Sequence, residues 1–68
     1  MTEEQAARSI CAILAKRGGR VVPFTMITDE LRDVFERSNG TAHGFDSGLR
    51  FAEDRRLITR HDRQVWLA

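Results

Sequence analysis

The chain has 68 residues, and its 11 Lys+Arg against 10 Asp+Glu give a formal net charge of +1. That length holds one small domain, and the near-neutral balance excludes a polycation that captures partners by bulk charge. Hydrophobic residues at 41% and charged residues at 31% give a globular composition rather than a disordered one. A domain this small buries only roughly 60% of the surface its unfolded chain exposes, so the expectation is a thin core, no roomy substrate pocket and a binding module rather than an enzyme.

Thr2 and Gln5 fit a capping box that opens a helix over residues 3–17, with Glu3 and Glu4 where the helix dipole favours anions. Ala6, Ala7, Ile10, Ile13 and Leu14 form its apolar stripe, Cys11 lies at the stripe's edge, and Gly18-Gly19 after Lys16 and Arg17 supplies the stop. Arg20-Val21-Val22-Pro23-Phe24 predicts a short strand, kept to an edge because Pro23 donates no ladder bond. A second helix is expected over 25–37, where Ile27, Leu31, Val34 and Phe35 make the buried face. Thr28 before Asp29-Glu30 is an alternative cap; Thr25 is preferred because Ile27 fits the stripe. Ser38 to Gly44 is turn chemistry. A third helix is predicted over 46–56, starting at Asp46 or Ser47, with Phe45, Leu49 and Ala52 inward. Leu57-Ile58-Thr59-Arg60 and Gln64-Val65-Trp66-Leu67 predict a terminal hairpin over 57–67 that turns at His61-Asp62.

Leu49-Arg50-Phe51-Ala52-Glu53-Asp54-Arg55-Arg56-Leu57-Ile58-Thr59-Arg60 is similar to a recurring apolar-x-x-apolar-Glu-x-x-Gly-Leu-Ile-x-Arg passage, and Asp62-Arg63-Gln64-Val65-Trp66-Leu67 to an Asp-x-Arg … Val-x-Leu-Thr ending. Both belong to the winged helix-turn-helix superfamily, which includes small MarR-like DNA-binding domains, and the element order resembles that family across nearly the whole chain. The resemblance implies an α+β, three-helix fold whose third helix reads DNA and whose C-terminal hairpin is the wing. Three departures stand out. Arg56 occupies the place of the helix-ending glycine, the connection from Ser38 to Phe45 is longer than a tight turn, and the wing tip lacks glycine.

If the third helix is a recognition helix, Ser47 near its start contacts phosphate and Arg50 is the candidate for bidentate contact to a guanine edge. Phe51 meets a thymine methyl and Arg55 binds backbone phosphate. In the hairpin, Arg60, His61 and Arg63 are candidates for phosphate or minor-groove contact. The bland alternatives are a solvated helix face with Asp54 paired to Arg50 at i, i+4, and a hairpin tip neutralised by Asp62. Phe51 is either a core residue under the hairpin or part of an interaction patch. Trp66 faces outward if Val65 and Leu67 face the core, as an interface anchor, or else covers a gap beside the first helix.

Ten of the eleven basic residues are arginine, which suits planar contacts to phosphate, guanine or carboxylate, although a GC-rich coding sequence gives the same bias. Residues Ser47 to Ala68 carry five arginines against three acids. One cysteine makes no internal disulfide, no CxxC or HxxxH spacing exists, and the loop around His43 assembles no catalytic order or P-loop. The apolar run from Ile10 to Ala15 is far short of a bilayer span, and no signal peptide is expected. These features lead to the expectation of a cytoplasmic, cofactor-free DNA-binding protein, a transcriptional regulator working as a homodimer on double-stranded DNA. The rival is a winged-helix adaptor or inhibitor that binds protein through Phe51 and Trp66.

Overall fold

In the computed structural model, which describes residues 2–22, 24–39 and 43–68, helix α1 runs from Glu3–Gly18. Its start is the expected capping box: the Gln5 N–H donates to Thr2 Oγ1 at 3.1 Å and the Thr2 N–H donates to Gln5 Oε1 at 2.9 Å. Its end is Gly19 at φ 57°, whose N–H donates to the Ala15 carbonyl. Ala6, Ala7, Ile10, Ile13 and Leu14 are buried, and Cys11 packs half-buried against them.

The predicted strand over 20–24 is not formed. Pro23 lies outside the described residues, and none of Arg20, Val21, Val22 and Phe24 is in a strand. The Val21 N–H is taken by the Gly18 carbonyl at 2.9 Å in a turn, and Val21 and Val22 are exposed. β-Branched side chains make a strand only where a ladder partner exists. That partner falls further on, so β1 is Met26–Ile27, antiparallel to the last strand with Met26 opposite Val65.

This pairing also moves the second helix. Helix α2 spans Thr28–Asn39 rather than 25–37, because Ile27 is committed to the sheet opposite Gln64 and the Thr28 N–H donates to the Arg63 carbonyl at 2.7 Å. Ile27 is 51% exposed, so it is not part of the α2 stripe; Leu31 and Phe35 are buried and Val34 packs beside them. The turn expected from Ser38 to Gly44 starts later, since Ser38 and Asn39 are helical and 40–42 lie outside the described residues. The Asn39 side chain donates to the Phe35 carbonyl at the helix end.

Helix α3, Phe45–Asp54, starts one residue before the predicted range, with Gly44 as its cap. Phe45 is in the helix because its ring is buried against Phe35, edge-on with centroids 5.3 Å apart. The helix stops two residues short of Arg56 in a Schellman arrangement: the Leu57 N–H donates to the Ala52 carbonyl at 2.8 Å and the Arg56 N–H to Glu53 at 3.0 Å. The left-handed residue this needs is Arg56 itself, at φ 60°.

Strands β2 (Ile58–His61) and β3 (Gln64–Leu67) form the terminal hairpin, and the sheet order is β1-β3-β2. Asp62, at φ 55°, opens its two-residue loop without a glycine. Met26, Ile58 and Val65 close the sheet's inner face over the helices. The architecture is therefore α+β: three helices, a short strand before α2 and a C-terminal antiparallel hairpin, compatible with a winged helix.

The tightest packing is between α1 and α3. A methyl group placed on Gly48 would stand 2.5 Å from Ala6 Cβ and 3.0 Å from the backbone at Ala6 and Ala7. Gly48→Ala should therefore lower stability by about 1–3 kcal/mol, even though alanine favours a helix interior by about 1 kcal/mol. Urea unfolding measures it; an unchanged or raised midpoint would contradict so close a crossing. Arg56→Gly should do the opposite, adding about 1 kcal/mol by removing left-handed strain. A midpoint that fails to rise in the same assay would argue against the left-handed exit.

Candidate functional site

Helix α3 packs Phe45, Gly48, Leu49 and Ala52 inward, which turns Ser47 and Arg50 to solvent. These two border one shallow depression with Glu3, Asp46, Phe51 and Asp54. Arg55 lies on another side: its guanidinium carbon sits 5.0 Å from the Phe51 ring centroid, over a depression shared with Glu4, Ala7, Arg8 and Leu57. The predicted α3 residues thus divide, with Ser47 and Arg50 together and Arg55 apart. Phe51 is neither fully buried nor free, being half-buried against the core and roofed by Arg55.

The hairpin divides in the same manner. Arg60 is opposite Val65, on the core side of the sheet, and its Nε reaches Glu53 Oε2 on α3 at 3.8 Å. His61 lies 3.7 Å from the Asp62 carboxylate in an exposed pair. Arg63 is exposed beside them, while its carbonyl accepts from both the N–H and the hydroxyl of Thr28, at 2.7 and 3.0 Å. These two hydrogen bonds fix the hairpin tip to the start of α2. Trp66 is opposite Thr59 on the outer face, since its neighbour Val65 is fully buried. It is half-buried there, and Leu67 keeps 40% of its surface exposed.

Charge on this face is set by which groups are already paired. Asp46 accepts from Arg32 of α2 at 2.8 Å, and that guanidinium also lies 5.3 Å from the Phe45 ring centroid. Glu53 is held by Arg60. The Arg50–Asp54 pair that helical spacing allows is not made, and among the described residues Arg50, Arg55, Arg56 and Arg63 enter no ion pair. Arg32 is the residue that sequence reasoning missed. Its partner is 14 positions away, beyond any helical spacing rule, and an arginine on the exposed side of α2 is otherwise unremarked.

Cys11 lies away from this face, and burial pushes its thiol above the ordinary value, which keeps it protonated and a poor nucleophile. Among the described residues, no group of three or more His, Cys, Asp or Glu side chains is placed to hold a metal, and no helix is long and apolar enough to cross a membrane. The chain matches no family model, no curated protein and no solved structure.

Phe51 has a measurable structural share. Phe51→Ala should cost about 1–3 kcal/mol, less than the 3–5 kcal/mol of a fully buried phenylalanine. Thermal or urea unfolding of the variant checks this, and a change within about 0.5 kcal/mol would reassign Phe51 to the surface.

Proposed function

We propose that the chain is a winged-helix module that binds double-stranded DNA through α3 and the β2–β3 wing, as a transcriptional regulator acting as a homodimer in the cytoplasm. One observation carries this reading. Arg50 stands exposed beside Ser47 and outside any ion pair, while the acids Asp46 and Glu53 of the same helix are each held by another arginine. Among the described residues from α3 to the wing, Arg50, Arg55, Arg56 and Arg63 stand outside any ion pair, against the free acid Asp54 of α3 and the Asp62 carboxylate beside His61. Arg50 reads a guanine edge, Ser47 contacts phosphate near the start of the helix, and Arg63 with His61 meets phosphates from the wing tip. Arg60 and Arg55 have lesser roles, because Glu53 and the Phe51 ring already engage them. Two half-sites compensate for the few base contacts one small domain makes.

Fluorescence anisotropy of a labelled mixed-sequence duplex against salt tests the proposal. Affinity should fall steeply as salt rises, with slope about −0.9 per neutralised phosphate. Arg50→Ala should weaken binding about tenfold or more to the preferred sequence, and Arg63→Ala should weaken all sequences evenly and reduce the slope by about 1. Absence of duplex binding at low salt would sink it.

A second reading, a protein-binding winged helix, has its own observation: Glu3, Asp46 and Asp54 line the same depression as Arg50. Acids there repel a phosphate wall and suit a partner of mixed charge, with Trp66 on the outer sheet face as its apolar anchor. Under that reading the duplex titration is flat and Trp66→Ala reduces association measured by light scattering.

A further inference from the structure

The C-terminal ends of α1 and α2 meet at one depression. It has a volume of about 420 Å³ and is lined by Ile13, Lys16 and Arg17 of α1 and by Val34 and Ser38 of α2. Ile13, Lys16 and Arg17 are spaced i, i+3, i+4, and Val34 and Ser38 i, i+4, so each helix contributes one row of neighbouring side chains. Ile13 belongs to the core and Val34 packs half-buried against it. Lys16, Arg17 and Ser38 are exposed. At the rise of an α-helix, Lys16 lies about 20 Å along α1 from Glu3, which borders the depression of Arg50. The two depressions are therefore at opposite ends of α1.

The charge of this depression is one-sided. After Glu4, α1 contains no acid, and no acid lines the depression. Among the described residues, Lys16 and Arg17 enter no ion pair. On α2, Asp33 is held by Arg37 at 3.0 Å, and Glu30 stands one helical turn before Val34, outside the lining. An apolar floor of Ile13 and Val34 beside two uncommitted cations is complementary to a ligand that carries negative charge and an apolar group together.

We propose that this depression docks an acidic segment of a partner protein, one apolar side chain resting on Ile13 and Val34 while neighbouring carboxylates meet Lys16 and Arg17. Charge complementarity chooses the occupant, because the cations line the depression themselves and no acid competes there. The helix ends favour a peptide over nucleic acid. The last turns of α1 and α2 both lie here, and their free carbonyls leave partial negative charge. A phosphate backbone meets that opposing field with charge alone and gains nothing on the apolar floor. A peptide adds the burial of a side chain to its ion pairs. The proposal is independent of what α3 binds.

The test uses the whole chain, ¹⁵N-labelled, titrated with a synthetic 12-residue peptide of Asp, Glu, Leu and Phe. Shifts should concentrate at residues 13–17 and 34–38. The double variant Lys16→Glu, Arg17→Glu should weaken binding at least tenfold, and Ser38→Glu several-fold; all three positions are exposed, and the spectrum verifies that each variant is folded. The milder pair Lys16→Gln, Arg17→Gln, which sets no acid at the helix end, should also weaken binding several-fold. Arg20→Glu, an exposed position outside the lining, should have a smaller effect than any of these. A peptide with Leu and Phe replaced by Ser should bind several-fold more weakly. Equal binding of that Ser peptide, an equal loss from Arg20→Glu, or shifts centred on α3 would each overturn the proposal. So would a DNA duplex that shifts residues 13–17 more strongly than the peptide, or a doubled mass in light scattering that the Glu double variant abolishes. Those two outcomes would assign the depression to nucleic acid or to a second copy.

Discussion

The close crossing of α1 and α3 is the contact on which the remaining geometry hangs. Gly48 brings the α3 backbone against Ala6 and Ala7, nearer than any side chain allows. A helix interior that accepts glycine gives up about 1 kcal/mol of intrinsic preference, and what it gains is proximity. With α3 so close, Leu49 and Ala52 seal against α1, and Phe45 meets Phe35 on α2. Because the inner face of α3 is thus immobilised, its outer face is fixed too, and Ser47 and Arg50 are presented at a definite angle.

The sheet continues the same logic with very little material. Two residues of β1 and four each of β2 and β3 form it, and of these only Met26, Ile58 and Val65 are buried. A sheet this small is stable only through its attachments. One attachment is apolar, to the helical core. The other two are polar: Arg60 reaches Glu53 on α3, and the Arg63 carbonyl is held by Thr28 of α2. The exposed Arg60–Glu53 pair contributes little to stability, yet it removes one cation and one anion from the outward charge pattern.

What was legible in the sequence was whatever is decided within one or two helical turns. The Thr2–Gln5 capping box, the α1 stripe, the inward set Phe45, Leu49, Ala52 and the terminal hairpin all follow from local spacing. The failures are non-local. Val21 and Val22 have the propensity of a strand and no partner, whereas Met26 and Ile27 have partners in Val65 and Gln64, near the other end of the chain. Ile27 fitted a helical stripe by spacing alone, and the ladder to Gln64 claimed it instead. Arg56 breaks the local rule that glycine ends such a helix, and the chain accepts the left-handed conformation because two hydrogen bonds and the burial of Ala52 fix that exit. At the candidate face, the identities of Ser47 and Arg50 were readable, while the pairings that decide their charge, Arg32 with Asp46 and Arg60 with Glu53, join separate elements and leave no sequence signature.

The Thr28–Arg63 connection has a mechanical consequence. A two-stranded arm anchored only at its base flexes about that base and adapts to whatever it touches. Here the tip is tied as well, through a carbonyl that accepts two bonds from the first residue of α2. Bending the arm therefore means either breaking both bonds together or tilting α2, and α2 is locked to α3 through Phe35, Phe45 and Arg32. The arm behaves as a strut closing a triangle with two helices, so a partner that presses on its end is met by the stiffness of the whole domain.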